Sequence, residues 1–108
     1  LKVGDPLEAG ISQGAIVSKV HFDKVLSYIQ LAQQEGGTLL TGGKAVAVSG
    51  RCEKGWFIEP TLIEGLANRC RTNQEEIFGP VATLQKFSNE AEALALANDS
   101  EYGLAASL

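Results

Sequence analysis

The chain has 108 residues, 44% of them apolar and 20% charged, which fits one ordinary globular domain and excludes the disordered and fibrous classes. Its net charge of −4, with 9 scattered Lys and Arg, excludes a nucleic-acid partner, because phosphate binding needs clustered cations. No apolar run approaches the roughly 18 residues that span a bilayer, and Leu1-Lys2-Val3-Gly4-Asp5 is not the start of a signal peptide, so a cytoplasmic protein without a membrane partner is expected.

The first residue is Leu, which suggests a chain cut from something longer; residues 1–108 read as a single segment without an internal domain boundary. Gly4-Asp5-Pro6 and the stretch from Gly10 to Gly14 predict loop, since Gly and Pro punctuate them and no period holds. A helix follows. Ser18 suits its N-cap, and Phe22, Val25, Leu26, Ile29 and Ala32 share one face at three- and four-residue spacing, with Gly36 as the left-handed stop. Thr38-Leu39-Leu40-Thr41, closed by Gly42-Gly43, predicts a buried strand. Ala45 to Val48 fits either a short strand or an exposed excursion.

Trp56-Phe57-Ile58 and Thr61-Leu62-Ile63 are aromatic and β-branched, and Pro60 between them predicts an edge position or a bulge. Val81 to Phe87 reads as a further strand. Ser88 and Asn89 offer caps, with Glu92 placed for a capping box, and Ala91 to Ala97 are strong helix formers. Gly103 then turns the chain into a last apolar strand, Leu104 to Leu108. Helices alternating with strands predict the α/β class, helices packed on a largely parallel sheet. An unpaired edge at the chain end would allow self-association.

The chemistry-bearing residues are few. Gly37 to Lys44 looks like a P-loop, but Thr38 stands where Gly belongs, Ala45 replaces the metal-binding hydroxyl, and the segment follows a helix instead of preceding one, so phosphate binding is set aside. Cys52, Cys70 and the single His21 have no zinc or Cys-x-x-Cys spacing, so no metal site is expected. His21 reads as a surface or packing histidine and Trp56 as core. Glu75 and Glu76 are adjacent, so on an extended chain they point to opposite faces and cannot converge as a glycosidase pair. From residue types alone they read as a solvated acidic pair.

Glu75-Glu76-Ile77-Phe78-Gly79-Pro80 resembles the Glu-Glu-Ile-Phe-Gly-Pro signature of the aldehyde dehydrogenase superfamily. Other landmarks of that family surround it in order: Val3-Gly4-Asp5-Pro6, Gly14 to Ser18, Glu35-Gly36-Gly37, Thr41-Gly42-Gly43, Gly55 to Thr61, and Ala97-Asn98 with Tyr102-Gly103-Leu104-Ala105. Together they run along essentially the whole chain.

The resemblance implies a piece of the catalytic domain of an enzyme that oxidises a small-molecule aldehyde or semialdehyde to a carboxylic acid, with NAD or NADP as hydride acceptor. It places two cofactor-binding residues here. Glu76 would accept hydrogen bonds from the ribose hydroxyls next to the nicotinamide, and Phe78 would pack against the same end of the cofactor. The family uses a cysteine thiolate on the aldehyde and a glutamate as base in thioester hydrolysis. That cysteine, that glutamate and the dinucleotide cradle are placed upstream of Leu1, and the oligomerisation segment downstream of Leu108. Cys52 and Cys70 match no catalytic position, so no catalytic residue is assigned, and the 108 residues alone are expected to be inactive and poor at binding cofactor.

Ala15 replaces the usual Pro, as in some muconic-semialdehyde-type members. Arg69-Cys70-Arg71 leans toward semialdehyde-oxidising members and Asn98 to Tyr102 toward betaine-aldehyde types; the two cues disagree, so the resemblance leaves the aldehyde open. Two other readings compete with the enzyme fragment: a standalone interaction module pairing through the edge strand, and a thiol-redox protein using Cys52 and Cys70.

Overall fold

The computed structural model describes residues 1–107. After an irregular N-terminal segment, helix α1 runs over Lys19–Gln34 and begins where Ser18, in extended backbone, accepts the His21 N–H on its hydroxyl. That satisfies one of the donors a helix start leaves over. Val25, Ile29 and Ala32 form the buried stripe that the spacing predicts. Gly36 ends the helix at φ +92°, and Gly37 donates back to the Ala32 carbonyl at 2.8 Å.

Strands β1 (Thr38–Thr41), β4 (Thr61–Glu64) and β5 (Val81–Leu84) make one sheet in the order β1-β4-β5. β1 pairs antiparallel with β4, and β5 lies parallel to it with Thr61 opposite Val81 and Glu64 opposite Leu84. A parallel pairing needs a crossover of a dozen or more residues, and residues 65–80 supply it. Between them, β2 (Ala45–Val46) and β3 (Phe57–Ile58) pair antiparallel as a separate ribbon. Helix α1 lies on the sheet over two buried clusters, Val25, Ile29, Ile58 and Ile77 in one, Ala32, Ile63 and Leu66 in the other. Leu39 and Val81 pack against both and join them into one core.

The class is α/β as expected, and the sheet is mixed. Several elements differ from expectation. β1 is an edge strand whose Leu40 is 46% exposed, because only Leu39 turns toward α1. The edge position or bulge predicted around Pro60 arises in part: Pro60 falls between β3, an edge strand of the two-stranded ribbon, and β4, the central strand of the larger sheet, whose pairing with β1 slips register between Leu39 and Thr41. Trp56, expected in the core, is 37% exposed and leans on Phe22 with ring centroids 5.5 Å apart.

A short helix α2 (Arg71–Gln74) was not foreseen, and α3 (Glu90–Asn98) takes the place predicted for the last helix. The final strand does not form over residues 104–107, where the backbone is irregular and Leu104 fully exposed. Leu108 lies outside the described residues. Among the described residues the unpaired edges of the three-stranded sheet belong to β1 and β5, and β2 and β3 pair only with each other; no strand edge lies at the chain end, where self-association was expected. No helix among them is long and apolar enough to cross a membrane.

Candidate functional site

The segment from Glu75 to Pro80 leaves α2 and climbs along the side of α1 into β5. Glu75 has extended backbone, φ −110° and ψ 145°, so successive side chains alternate in direction. Glu75 turns inward: it accepts two hydrogen bonds from the Arg71 guanidinium, at 2.7 and 3.0 Å, and one from the Tyr28 hydroxyl. Those partners hold its carboxyl down to about 2, from an ordinary 4.5. The same contact pushes the Tyr28 hydroxyl up. The solvated acidic pair expected from residue types is thus half corrected, because Glu75 is an ion-paired anchor.

Ile77 is 8% exposed and plugs into the core beside Val25 and Ile29. Gly79 is where the segment passes closest to α1; a Cβ there would sit 2.6 Å from a Val25 methyl. Only a residue without a side chain allows that approach.

With Glu75 and Ile77 pointing in, Glu76 and Phe78 point out. Glu76 is exposed, and among the described residues no side chain donates to its carboxylate or pairs with it. Phe78 is 74% exposed and, at φ +57°, is the non-glycine residue with left-handed backbone among the described residues. A bulky side chain seldom adopts that region. Such outliers persist where the surroundings over-determine them and gather at ligand sites.

The surroundings here are side chains of α1. His21 Nε2 lies 2.5 Å from the Phe78 carbonyl, and since a carbonyl only accepts, Nε2 carries the proton. Its ring meets the Phe78 ring edge-on, centroids 5.9 Å apart at 69°. Lys24 donates to the Glu76 carbonyl at 2.9 Å, and Tyr28 completes the stripe at Glu75. These three positions, spaced i, i+3 and i+7, fall on one side of the helix. The sequence reading named Glu76 and Phe78 but missed their holders; His21 is a clamp on the turn, half-buried, where a surface or packing role was expected.

At the other end of α1, Glu35 caps α2. Its carboxylate accepts the Arg71 N–H at 2.9 Å, the Thr72 N–H at 3.1 Å and the Thr72 hydroxyl at 2.6 Å. Burial works against its charge, but the Thr72 and Arg71 hydrogen bonds outweigh it and lower its carboxyl.

A groove of about 770 Å³ opens along β4 and β5, floored by Leu62, Pro80, Val81 and Ala82. Lys2, Gln13, Thr41 and Glu59 line it as well, and the outward pair Glu76 and Phe78 lies outside it. Cys52 and Cys70 are both free. Burial raises the Cys70 thiol, and the Glu35 carboxylate beside it adds to the shift, the opposite of a nucleophile's environment. Among the described residues no three His, Cys, Asp or Glu gather to hold a metal ion.

A mixed sheet crossed by one helix, displaying a carboxylate and an aromatic ring from a clamped turn, is part of an α/β domain. The chain belongs to the aldehyde dehydrogenase family, whose model matches residues 1–108. It is 50% identical over 108 residues to an acetaldehyde dehydrogenase of Pseudomonas aeruginosa, covering 100% of this chain and 21% of that protein. It is also 50% identical over 107 residues to 5-carboxymethyl-2-hydroxymuconate semialdehyde dehydrogenase of Escherichia coli, covering 97% of this chain and 23% of that one. The structure matches betaine aldehyde dehydrogenase of Staphylococcus aureus, solved in complex with NAD+, at TM-score 0.85 and 42% identity, over 95% of this chain and 20% of that one. The chain thus spans about a fifth of the length of these relatives.

Proposed function

We propose that these residues form the ribose-facing wall of the cofactor site in an NAD(P)-dependent enzyme that oxidises an aldehyde or semialdehyde to its carboxylic acid. The observation that carries this reading is the pair Glu76 and Phe78, both turned to the surface from a backbone fixed on either side. Their chemistry fits a ribose and its attached ring. An ionised carboxylate without a protein donor has lone pairs for two vicinal hydroxyls, and charge-assisted hydrogen bonds are stronger than neutral ones. An aromatic face beside it supplies an apolar stop for a flat heterocycle. When bound, the nicotinamide supplies the hydride acceptor; Glu76 and Phe78 orient it and do no bond-making.

In the complete enzyme, Glu76→Gln is expected to weaken NAD(P) binding by roughly ten- to a hundredfold, the value of a charged hydrogen bond, as read by titrating cofactor fluorescence. Unchanged affinity would overturn the reading. The 108 residues alone are expected to turn over no aldehyde, because Cys70 is held as a thiol and Cys52 has no role in the turn. NADH formation that depends on a thiol of this chain would contradict that. The two free cysteines fit a reducing compartment such as the cytoplasm.

A further inference from the structure

We propose that His21 is a positioning residue for the cofactor wall: by donating Nε2–H to the Phe78 carbonyl it keeps Phe78 in left-handed backbone, which turns Phe78 and Glu76 outward together. The proposal rests on the ribose-wall reading of Glu76 and Phe78 and adds the residue that sets their geometry.

Phe78 has φ +57°, a conformation its side chain disfavours, and it sits between the buried Ile77 and the close-packed Gly79. Turning its peptide back to an ordinary φ would move its carbonyl away from the 2.5 Å contact with His21. The hydrogen bond and the edge-on ring contact therefore both favour the observed backbone. His21 is itself well placed to act: its own N–H is fixed by the Ser18 hydroxyl at 3.2 Å, so the imidazole leaves α1 from its first, capped turn. Lys24 cannot substitute, because it is engaged on the Glu76 carbonyl one turn further along.

The test compares His21→Leu, which removes the donor, with His21→Gln, whose amide N–H₂ reaches about as far as Nε2. In the complete enzyme His21→Leu is expected to raise the cofactor KM and Kd about five- to tenfold, the scale of one neutral hydrogen bond, with kcat changed less than twofold. His21→Gln is expected to restore binding. If His21→Leu does not fold, His21→Ala takes its place, alanine being the best helix former for a half-buried helical position. A residue that works through Phe78 also predicts non-additivity: His21→Leu added to Phe78→Ala should weaken binding no further than Phe78→Ala alone.

Fully additive losses, or a His21→Gln enzyme as impaired as His21→Leu, would overturn the positioning role. Failure of the underlying reading looks different: Glu76→Gln would then leave cofactor affinity unchanged. A Glu76→Gln enzyme that loses affinity beside a His21→Leu enzyme that keeps it would sink the positioning role and leave the wall in place.

Discussion

The two ends of the chain's sheet are held by different physics. On the α1 side, Val25, Ile29, Ile58 and Ile77 bury their side chains together, and polar clamps from His21, Lys24, Tyr28 and Glu35 sit on top of that apolar contact. On the α3 side no helical residue is buried. Phe87, Leu94 and Tyr102 are 61, 50 and 57% exposed, and the helix is tied down through Asp99. Gln74 donates to the Asp99 carbonyl at 2.8 Å, Asn68 to its carboxylate at 2.6 Å, and Arg69 pairs with it. The contrast teaches that a helix can be specified locally, by the Asn89 cap and the Glu92 carboxylate that reaches back to the Ser88 N–H, without contributing to the core.

The comparison predicts a ladder of effects in the isolated chain, read by urea unfolding. Ile77→Ala removes a core side chain from the clamped end and is expected to cost about 2–5 kcal/mol; a loss below 1 would mean that the turn is not packed as described. Glu35→Ala strips the donors at the start of α2 of their partner and should cost about 1–3 kcal/mol, since buried polar groups are expensive to leave unmade.

Acid gives a third handle. Asp5, gripped by the Arg51 guanidinium and the Leu7 N–H, is lowered from 3.8 to about 2, and Glu75 from 4.5 to about 2. Carboxyls with depressed folded values add stability that is whole above their unfolded values and is lost as pH falls toward the folded ones. The urea midpoint should therefore decline between about pH 4.5 and 2, and Asp5→Asn should flatten part of that slope; an unchanged slope would dismiss the Asp5 pair. Last and smallest, Leu94→Ala on the exposed α3 should stay within about 0.5 kcal/mol. A larger loss would show that α3 is packed in solution.

Both long helices were legible because their signals are local: Ser18 and Asn89 are good caps, and the apolar stripe of α1 has a clean period. The short helix α2 was not. Arg71-Thr72-Asn73-Gln74 has no apolar face, Cys70 is a poor cap, and the group that satisfies its start is Glu35, more than thirty residues upstream. β1 misled for a related reason, since two leucines in a row suggest burial on both faces while this sheet is covered on one, leaving Leu40 of β1 and Leu62 of β4 exposed. In the site, the outward pair Glu76 and Phe78 came from the family signature. The clamps could have been suspected from His21, Lys24 and Tyr28 at i, i+3 and i+7 beside the apolar stripe, but a polar stripe on a helix ordinarily faces water, and only the fold brings the turn against it.

Glu35 and His21 grip the start and the end of the same stretch of chain, from Arg71 to Phe78, and they do so from opposite ends of one helix. Fourteen positions of α-helix advance about 21 Å and return to nearly the same side, so α1 serves as a gauge block against which the turn is cut to length. One residue added or removed within α1 would swing one grip about 100° around the helix axis relative to the other. The turn could then keep its root or its tip, but not both, and so the length of α1 between Ser18 and Gly36 is as much a part of the site as the side chains displayed on the turn.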